Sequence, residues 1–96
     1  MMTREAYVEK LKARLNLWDA ELGRIDAKAY AAQADVRIEL ERIADELHRK
    51  RDEAGRRIRK LERAREDAWD ELKSGTESAF VALGKAFERT RERLGE

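Results

Sequence analysis

The stretch that decides the fold is residues 8–36, VEKLKARLNLWDAELGRIDAKAYAAQADV. Nine apolar residues follow one another there at alternating spacings of three and four: Val8, Leu11, Leu15, Trp18, Leu22, Ile25, Ala29, Ala32 and Val36. This spacing is that of the a and d positions of a heptad repeat, which form the apolar seam between the helices of a coiled coil. The stretch therefore predicts a helix that packs along one face against a partner helix.

A different apolar period takes over after Val36, where the heptad register fails. A spacing of eleven residues then links Ile25, Val36, Leu47, Ile58, Trp69 and Phe80. Eleven residues make three turns, so this stripe runs nearly along the helix axis and does not share the left-handed drift of heptads. We expect the seam to continue through Leu47, Ile58 and Leu61. The last third is expected to carry a second apolar stripe, formed by Trp69, Leu72, Phe80, Leu83, Phe87 and Leu94.

The composition favours helix along the whole chain. Ala, Glu, Lys, Leu and Arg make up 61 of 96 residues, and Pro is absent, a bias typical of long helices and coiled coils. Thr3 is a candidate N-cap, and Ser74-Gly75 is the strongest candidate for a helix break. The sequence predicts one extended all-α domain over residues 1–96, with a long helix over 3–73. Residues 75–94 form either a second amphipathic helix after a break or a continuation of the first.

Several classes of function are disfavoured by the residues that are missing. The chain has no Cys and a single His, His48, so thiolate chemistry and multi-His metal sites are excluded. No Gly-rich phosphate loop occurs. We expect no enzymatic activity, no cofactor, no bound metal and no small-molecule substrate. No apolar run is long enough for a signal peptide or a membrane span, which favours a cytoplasmic location.

The sign of the charge changes along the chain. Residues 48–65 carry nine basic and three acidic side chains, whereas the segments before and after them are net acidic. Four basic residues of this segment are predicted to form an outward ridge on the helix: Arg49, Arg56, Lys60 and Arg63. Antiparallel pairing of two chains would place the basic segment partly against the acid-rich residues 35–46. We therefore expect a homo-oligomer, either an antiparallel dimer or a bundle.

Two other partners remain open. The C-terminal stripe has the aromatic, eleven-residue amphipathic pattern of a helix that binds a membrane or granule surface reversibly, but its segment is net acidic, which disfavours contact with anionic headgroups. The basic ridge could contact nucleic-acid phosphates. Acid–base pairs at i,i+4, such as Asp52 with Arg56, compete for the same cations, and no aromatic side chains interleave with the ridge. Nucleic acid is therefore the less favoured partner.

Three stretches of the chain resemble a family of small bacterial coiled-coil proteins first described in cyanobacteria as stress-response proteins. They are residues 11–22, LKARLNLWDAEL; residues 38–61, IELERIADELHRKRDEAGRRIRKL; and residues 68–94. The last stretch is similar to the family's pattern AW-x-x-L-K-x-G-x-E-x-A-x-x-x-L through Ala68, Trp69, Leu72, Lys73, Gly75, Glu77, Ala79 and Leu83. The Arg-rich middle departs from the family. The resemblance implies a helical, non-enzymatic protein with a stress-related role.

These observations together predict a non-enzymatic coiled-coil structural or interaction protein of the bacterial cytoplasm that acts by self-association. Replacing Leu22 by Asp should lower the melting temperature sharply, because it places an unpaired charge in the apolar seam. Arg56→Ala, on the ridge, should change it little. Thermal unfolding followed by circular dichroism checks both variants. A Leu22→Asp protein that melts together with the wild type would contradict the predicted seam.

Overall fold

The computed structural model describes residues 2–95, and this part of the chain forms three α-helices. Helix α1 spans Arg4–Ala31, α2 spans Ala34–Glu62 and α3 spans Trp69–Leu94. A 3-10 turn at Glu66–Ala68 precedes α3. Helix α2 packs against both α1 and α3, and the molecule measures 51 × 19 × 18 Å. The prediction of an all-α fold is confirmed.

Ion pairs between the helices show their relative directions. As α1 advances, its partners run backward along α2: Lys12–Glu62, Asp19–Arg51 and Asp26–His48. Glu39 near the start of α2 pairs with Arg93 near the end of α3. Helix α2 is therefore antiparallel to both neighbours, and the chain is an up-down-up bundle.

The predicted seam and stripe face a common core inside this one chain. Most of their residues are buried there: Val8, Leu11, Leu15, Leu22, Ile25, Ala29, Leu47, Ile58, Leu61, Phe80, Leu83 and Phe87. The face that was expected to join two copies is therefore covered by helices of the same molecule. Val36, with 53% of its surface exposed, lies outside the core, and Ala32 lies in the turn after α1.

The ring of Trp18 joins α1 to α3. Its centroid lies 5.5 Å from that of Phe80, and it stacks on Phe87 at 5.8 Å with an interplanar angle of 10°. The ring also lies against Gly84, where an added Cβ would be 3.5 Å from it. Such aromatic contacts stabilise a core by more than the burial of their apolar area alone would provide. They close the bundle along the side opposite to α2.

The N-terminus of α1 is capped as the sequence predicts. The backbone of Thr3 is extended, and its hydroxyl oxygen accepts a hydrogen bond from the N–H of Ala6 at 3.0 Å. The cap satisfies one of the N–H groups that every helix leaves free at its start.

A chain reversal at Ala32 and Gln33 separates α1 from α2 and corrects the prediction of one helix over 3–73. Both residues have extended backbone, with ψ angles of 156° and 160°. The Arg37 guanidinium donates a hydrogen bond to the carbonyl oxygen of Tyr30 at 2.8 Å. This bond satisfies one of the carbonyl groups left free at the end of α1. The sequence signal of the reversal is the loss of heptad register at Val36.

A second interruption, between α2 and α3, was also not predicted. Arg65 is extended, and the 3-10 turn follows it. The flanking helix ends carry the charges that their macrodipoles favour: basic Arg59 and Lys60 in the last turn of α2, and acidic Asp70 and Glu71 in the first turn of α3. The change from basic to acidic residues after Arg65 therefore coincides with the boundary between α2 and α3.

Helix α3 continues through Ser74 and Gly75, so the alternative of a break at this point does not occur. A Cβ on Gly75 would lie 2.9 Å from Nη1 of Arg57. The glycine therefore makes room for a guanidinium of α2. It lies inside α3 and does not end the helix.

Phe87→Ala should lower the free energy of unfolding by about 3–5 kcal/mol, the usual cost of deleting a fully buried ring. The Phe87 side chain has 0% of its surface exposed. Val81 lies on the same helix with 56% exposed, and Val81→Ala should cost about 0.5 kcal/mol or less. Urea unfolding of the two variants checks the difference. Equal losses would be inconsistent with the core described above.

Candidate interaction site

The predicted site residues divide into a covered set and an exposed set. Apart from Ala32 and Val36, the seam and stripe lie in the core or at its margin, where Trp69, Leu72 and Leu94 are half-buried. All four ridge residues are exposed on α2: Arg49, Arg56, Lys60 and Arg63. The ridge is thus the predicted site that remains open to a partner.

The C-terminal half of the ridge borders a shallow groove between the end of α2, the connecting segment and the start of α3. We call it the basic groove. It is lined by Arg56, Arg59, Lys60, Arg63, Ala64, Arg65, Ala68 and Leu72. Sequence reasoning left Arg59 and Arg65 out of the ridge, although both belong to the basic segment 48–65. The groove combines five cations with a small apolar surface.

The charges of the groove are largely unpaired. Arg56 pairs with Glu53 at 2.7 Å. Within residues 2–95, the side chains of the other four cations, Arg59, Lys60, Arg63 and Arg65, have no hydrogen bond or ion pair. Four guanidinium or ammonium groups therefore stand around an apolar surface without counter-charges from their own chain.

The acid–base pairs along α2 reach no further than Arg57. Glu53 accepts hydrogen bonds from Arg56 and, at 2.9 Å, from Arg57, and these bonds hold the pKa of Glu53 below its ordinary value. Lys50 lies 4.0 Å from Glu46. Arg56 thus pairs with Glu53 and not with Asp52, the predicted partner. No such pair extends into the last turn of α2 in the described part of the chain.

Two cations outside the groove, one on α1 and one on α2, hold these helices together. Arg51 donates two hydrogen bonds to Asp19, at 2.7 and 3.0 Å, and this contact raises the pKa of Arg51. Lys12 donates to Glu62 at 2.8 Å, which raises the pKa of Lys12. Positive charge between α1 and α2 is therefore structural, whereas that of the basic groove makes no contact between helices.

An aromatic corner beside the groove fixes the start of α3 against α1. The Tyr7 and Trp69 rings meet edge to face at 6.1 Å, and the Arg4 guanidinium lies 4.4 Å from the Trp69 ring centroid. The Tyr7 hydroxyl donates a hydrogen bond to Glu77 at 2.7 Å. Desolvation, followed by this bond and the charge of Glu77, raises the pKa of Tyr7 to about 12. The corner holds one wall of the groove in place.

The structure offers no arrangement suited to metal binding or membrane crossing between residues 2 and 95. No group of three or more His, Asp or Glu side chains there could hold a metal ion. None of the helices in this range is long and apolar enough to cross a bilayer. His48 lies at the surface, with Nε2 2.9 Å from a carboxylate oxygen of Asp26.

No protein-family model, curated protein sequence or solved structure matches the chain. The resemblance to the small stress-response proteins therefore stays an expectation from the sequence.

The Tyr7 phenol should titrate near pH 12 in a Tyr30→Phe background, where Tyr7 is the only tyrosine. Adding Glu77→Gln should lower its pKa, because the substitution removes the negative charge beside the hydroxyl. Absorbance titration measures the change, with Glu88→Gln, at an exposed position of the same helix, as control.

The raised pKa also sets a dependence of stability on pH. The folded state holds the Tyr7 proton more tightly than the unfolded state, so its contribution is full below pH 10 and is lost as the pH rises toward 12. A titration curve that Glu77→Gln leaves in place would show that the hydrogen bond does not form.

Proposed function

We propose that this protein is a non-enzymatic interaction module that binds an acidic, amphipathic segment of a partner protein in the basic groove. One observation supports the proposal above others. The groove holds four cations without counter-charges in residues 2–95, beside the apolar side chains of Ala64, Ala68 and Leu72. A helix that carries carboxylates next to small apolar residues would complement both features.

Charge alone would give the groove little affinity. An exposed ion pair contributes roughly 0.2–1 kcal/mol and is screened by salt. Four such pairs therefore supply at most a few kcal/mol, and contact with the apolar lining has to supply the remainder. We expect modest affinity and a clear dependence on ionic strength, as in transient docking between proteins.

The chemistry of the groove suits a protein segment better than a nucleic acid. Proteins that hold single strands without reading sequence place aromatic rings under the bases, and all the apolar residues of this groove are aliphatic. Guanidinium groups bind carboxylate as well as phosphate. An apolar peptide side chain can be buried against the aliphatic lining, whereas a phosphate backbone has no apolar group to bury there.

The apolar stripe is a weaker candidate for the surface that binds a partner. Phe80, Leu83 and Phe87 are at most 2% exposed, so lipid contact through them would require the bundle to open. Opening exposes the whole core to water, at about 25 cal/mol for each Å² of apolar surface. The closed bundle therefore favours the groove. A cytoplasmic location and a stress-related role belong to this proposal and are supported by the sequence alone.

The proposal predicts that a fluorescent helical peptide built from Glu, Leu and Ala binds the protein through the groove. Lys60→Ser/Arg63→Ser/Arg65→Ser should weaken binding by about tenfold or more, because three ion pairs are lost. The matched control is Lys10→Ser/Lys85→Ser/Arg89→Ser, which removes the same charge at exposed positions elsewhere and should bind nearly as the wild type. Fluorescence anisotropy at low and physiological salt measures the affinities.

Equal losses in the groove variant and the control would reject the groove as the site, since only net charge would then matter. A single-stranded oligonucleotide that binds more tightly than the peptide at about 0.15 M salt would favour the nucleic-acid alternative. Circular dichroism establishes that both variants keep the helical fold.

A further inference from the structure

We infer that the basic groove is occupied by a second copy of this chain, with the acidic start of α3 from each copy seated in the groove of the other. The inference rests on the proposed function, because it names the acidic segment that the groove binds. It is drawn from the arrangement of unpaired charges around residues 59–71.

The acidic start of α3 consists of Glu66, Asp67, Asp70 and Glu71, all exposed. Glu66 lies 3.6 Å from an Arg4 nitrogen and is 96% exposed in its side chain. The other three side chains have no hydrogen bond or ion pair among the described residues. Four carboxylates thus adjoin four unpaired cations in the chain, and no ion pair forms between the two sets within the molecule.

The two sets are suited to a two-fold axis. A two-fold interface brings the same surface of both copies together, so it must be complementary to itself. A surface with a positive half and a negative half meets this condition, because the rotation places each half on the opposite half of the other copy.

The apolar residues of the groove fit the same arrangement. Ala68 lies among the four acidic residues and Leu72 directly after them, and positions four apart lie on one face of a helix. Both residues also line the groove and are half-buried in their own chain. On this helix Glu71 lies next to the Ala68–Leu72 face and Asp67 one turn before Glu71, whereas Asp70 lies on the opposite side. The start of α3 therefore presents a small apolar face with Asp67 and Glu71 at its side to a groove with a small apolar face flanked by cations.

Such an interface differs from a coiled-coil seam in its response to salt. At about 0.5 M salt the screening length falls to roughly 4 Å, and exposed pairs lose most of their attraction. A seam built on buried Leu and Trp would persist or strengthen under these conditions. We therefore expect a dimer at low ionic strength that dissociates to monomer as salt is added.

Charge exchange provides the test. Lys60→Glu/Arg63→Glu lowers the summed charge of the four unpaired groove cations from +4 to 0, and Asp67→Lys/Glu71→Lys raises that of the four carboxylates from −4 to 0, so that each variant loses the attraction between the two halves. Each variant alone should sediment as a monomer at low salt. An equimolar mixture should regain the dimer mass, because the unaltered acidic helix start of one chain then meets the unaltered groove of the other, and the introduced Glu residues face the introduced Lys residues. Lys10→Glu/Lys85→Glu, with the same change of net charge at other exposed positions, should remain a dimer.

Analytical ultracentrifugation of the full chain measures these masses. A wild type that stays monomeric at low salt over a wide concentration range would overturn the inference, as would an oligomer that neither variant nor salt affects. If circular dichroism shows that a charge-exchange variant is unfolded, the inference is tested instead by the salt dependence of the mass of the wild type and of Lys60→Gln/Arg63→Gln. A monomeric protein that still binds the acidic peptide through its groove would end this inference and leave the proposed function standing.

Discussion

The contact of Trp18 with Phe80 and Phe87 is the interaction on which this structure depends. Helix α2 packs against both of its neighbours. Helices α1 and α3 meet through these rings over Gly84 and, nearer the start of both helices, through Tyr7 with Trp69 and Glu77. A long amphipathic helix cannot leave its apolar face in water and gains most of its stability by packing it. By closing α1 on α3, the rings allow one short chain to bury most of its seam and stripe by itself.

That closure determines what is left for binding. The seam and the stripe, either of which could have joined two copies or bound lipid, become the interior of the bundle. The remaining surface is mostly charged, and its charges differ in what they do. Arg51 and Lys12 pair across helices with Asp19 and Glu62, whereas the cations at the end of α2 reach no acid among residues 2–95. The unpaired ones mark the surface most able to act on another molecule.

Much of the core could be predicted from the sequence, because apolar periodicity directly reflects which face of a helix is buried. The helical hydrogen-bond pattern is the same in every turn of a helix, so it does not indicate where the chain turns back. The reversal at Ala32 and Gln33 uses neither Gly nor Pro, and Arg37 stabilises it through a bond to Tyr30 that local propensity does not encode. The loss of heptad register at Val36 was visible, but it was interpreted as a change of supercoil.

Gly75 and the basic groove show two further limits of the sequence analysis. Gly75 is the residue type that often ends a helix, yet it lies inside α3, where the end of the Arg57 side chain of α2 occupies the space beside it. The groove was only partly predictable, because Arg59 lies off the ridge on a helical wheel and Arg65 lies beyond the helix. Only the turn between α2 and α3 brings these two cations together with Ala68 and Leu72.

The charges at this turn also serve the fold. Basic residues in the last turn of α2 and acidic residues in the first turn of α3 each interact favourably with a helix macrodipole, by about 0.3–1 kcal/mol. This stabilisation belongs to a single chain and explains why opposite charges adjoin in the sequence without pairing: each set is placed for its own helix end. It does not neutralise either set toward solvent. A second chain can therefore pair with charges that folding has already positioned. An association that depends only on this pairing can be restored by charge changes in the second chain, whereas a lost contribution to the stability of a helix end cannot.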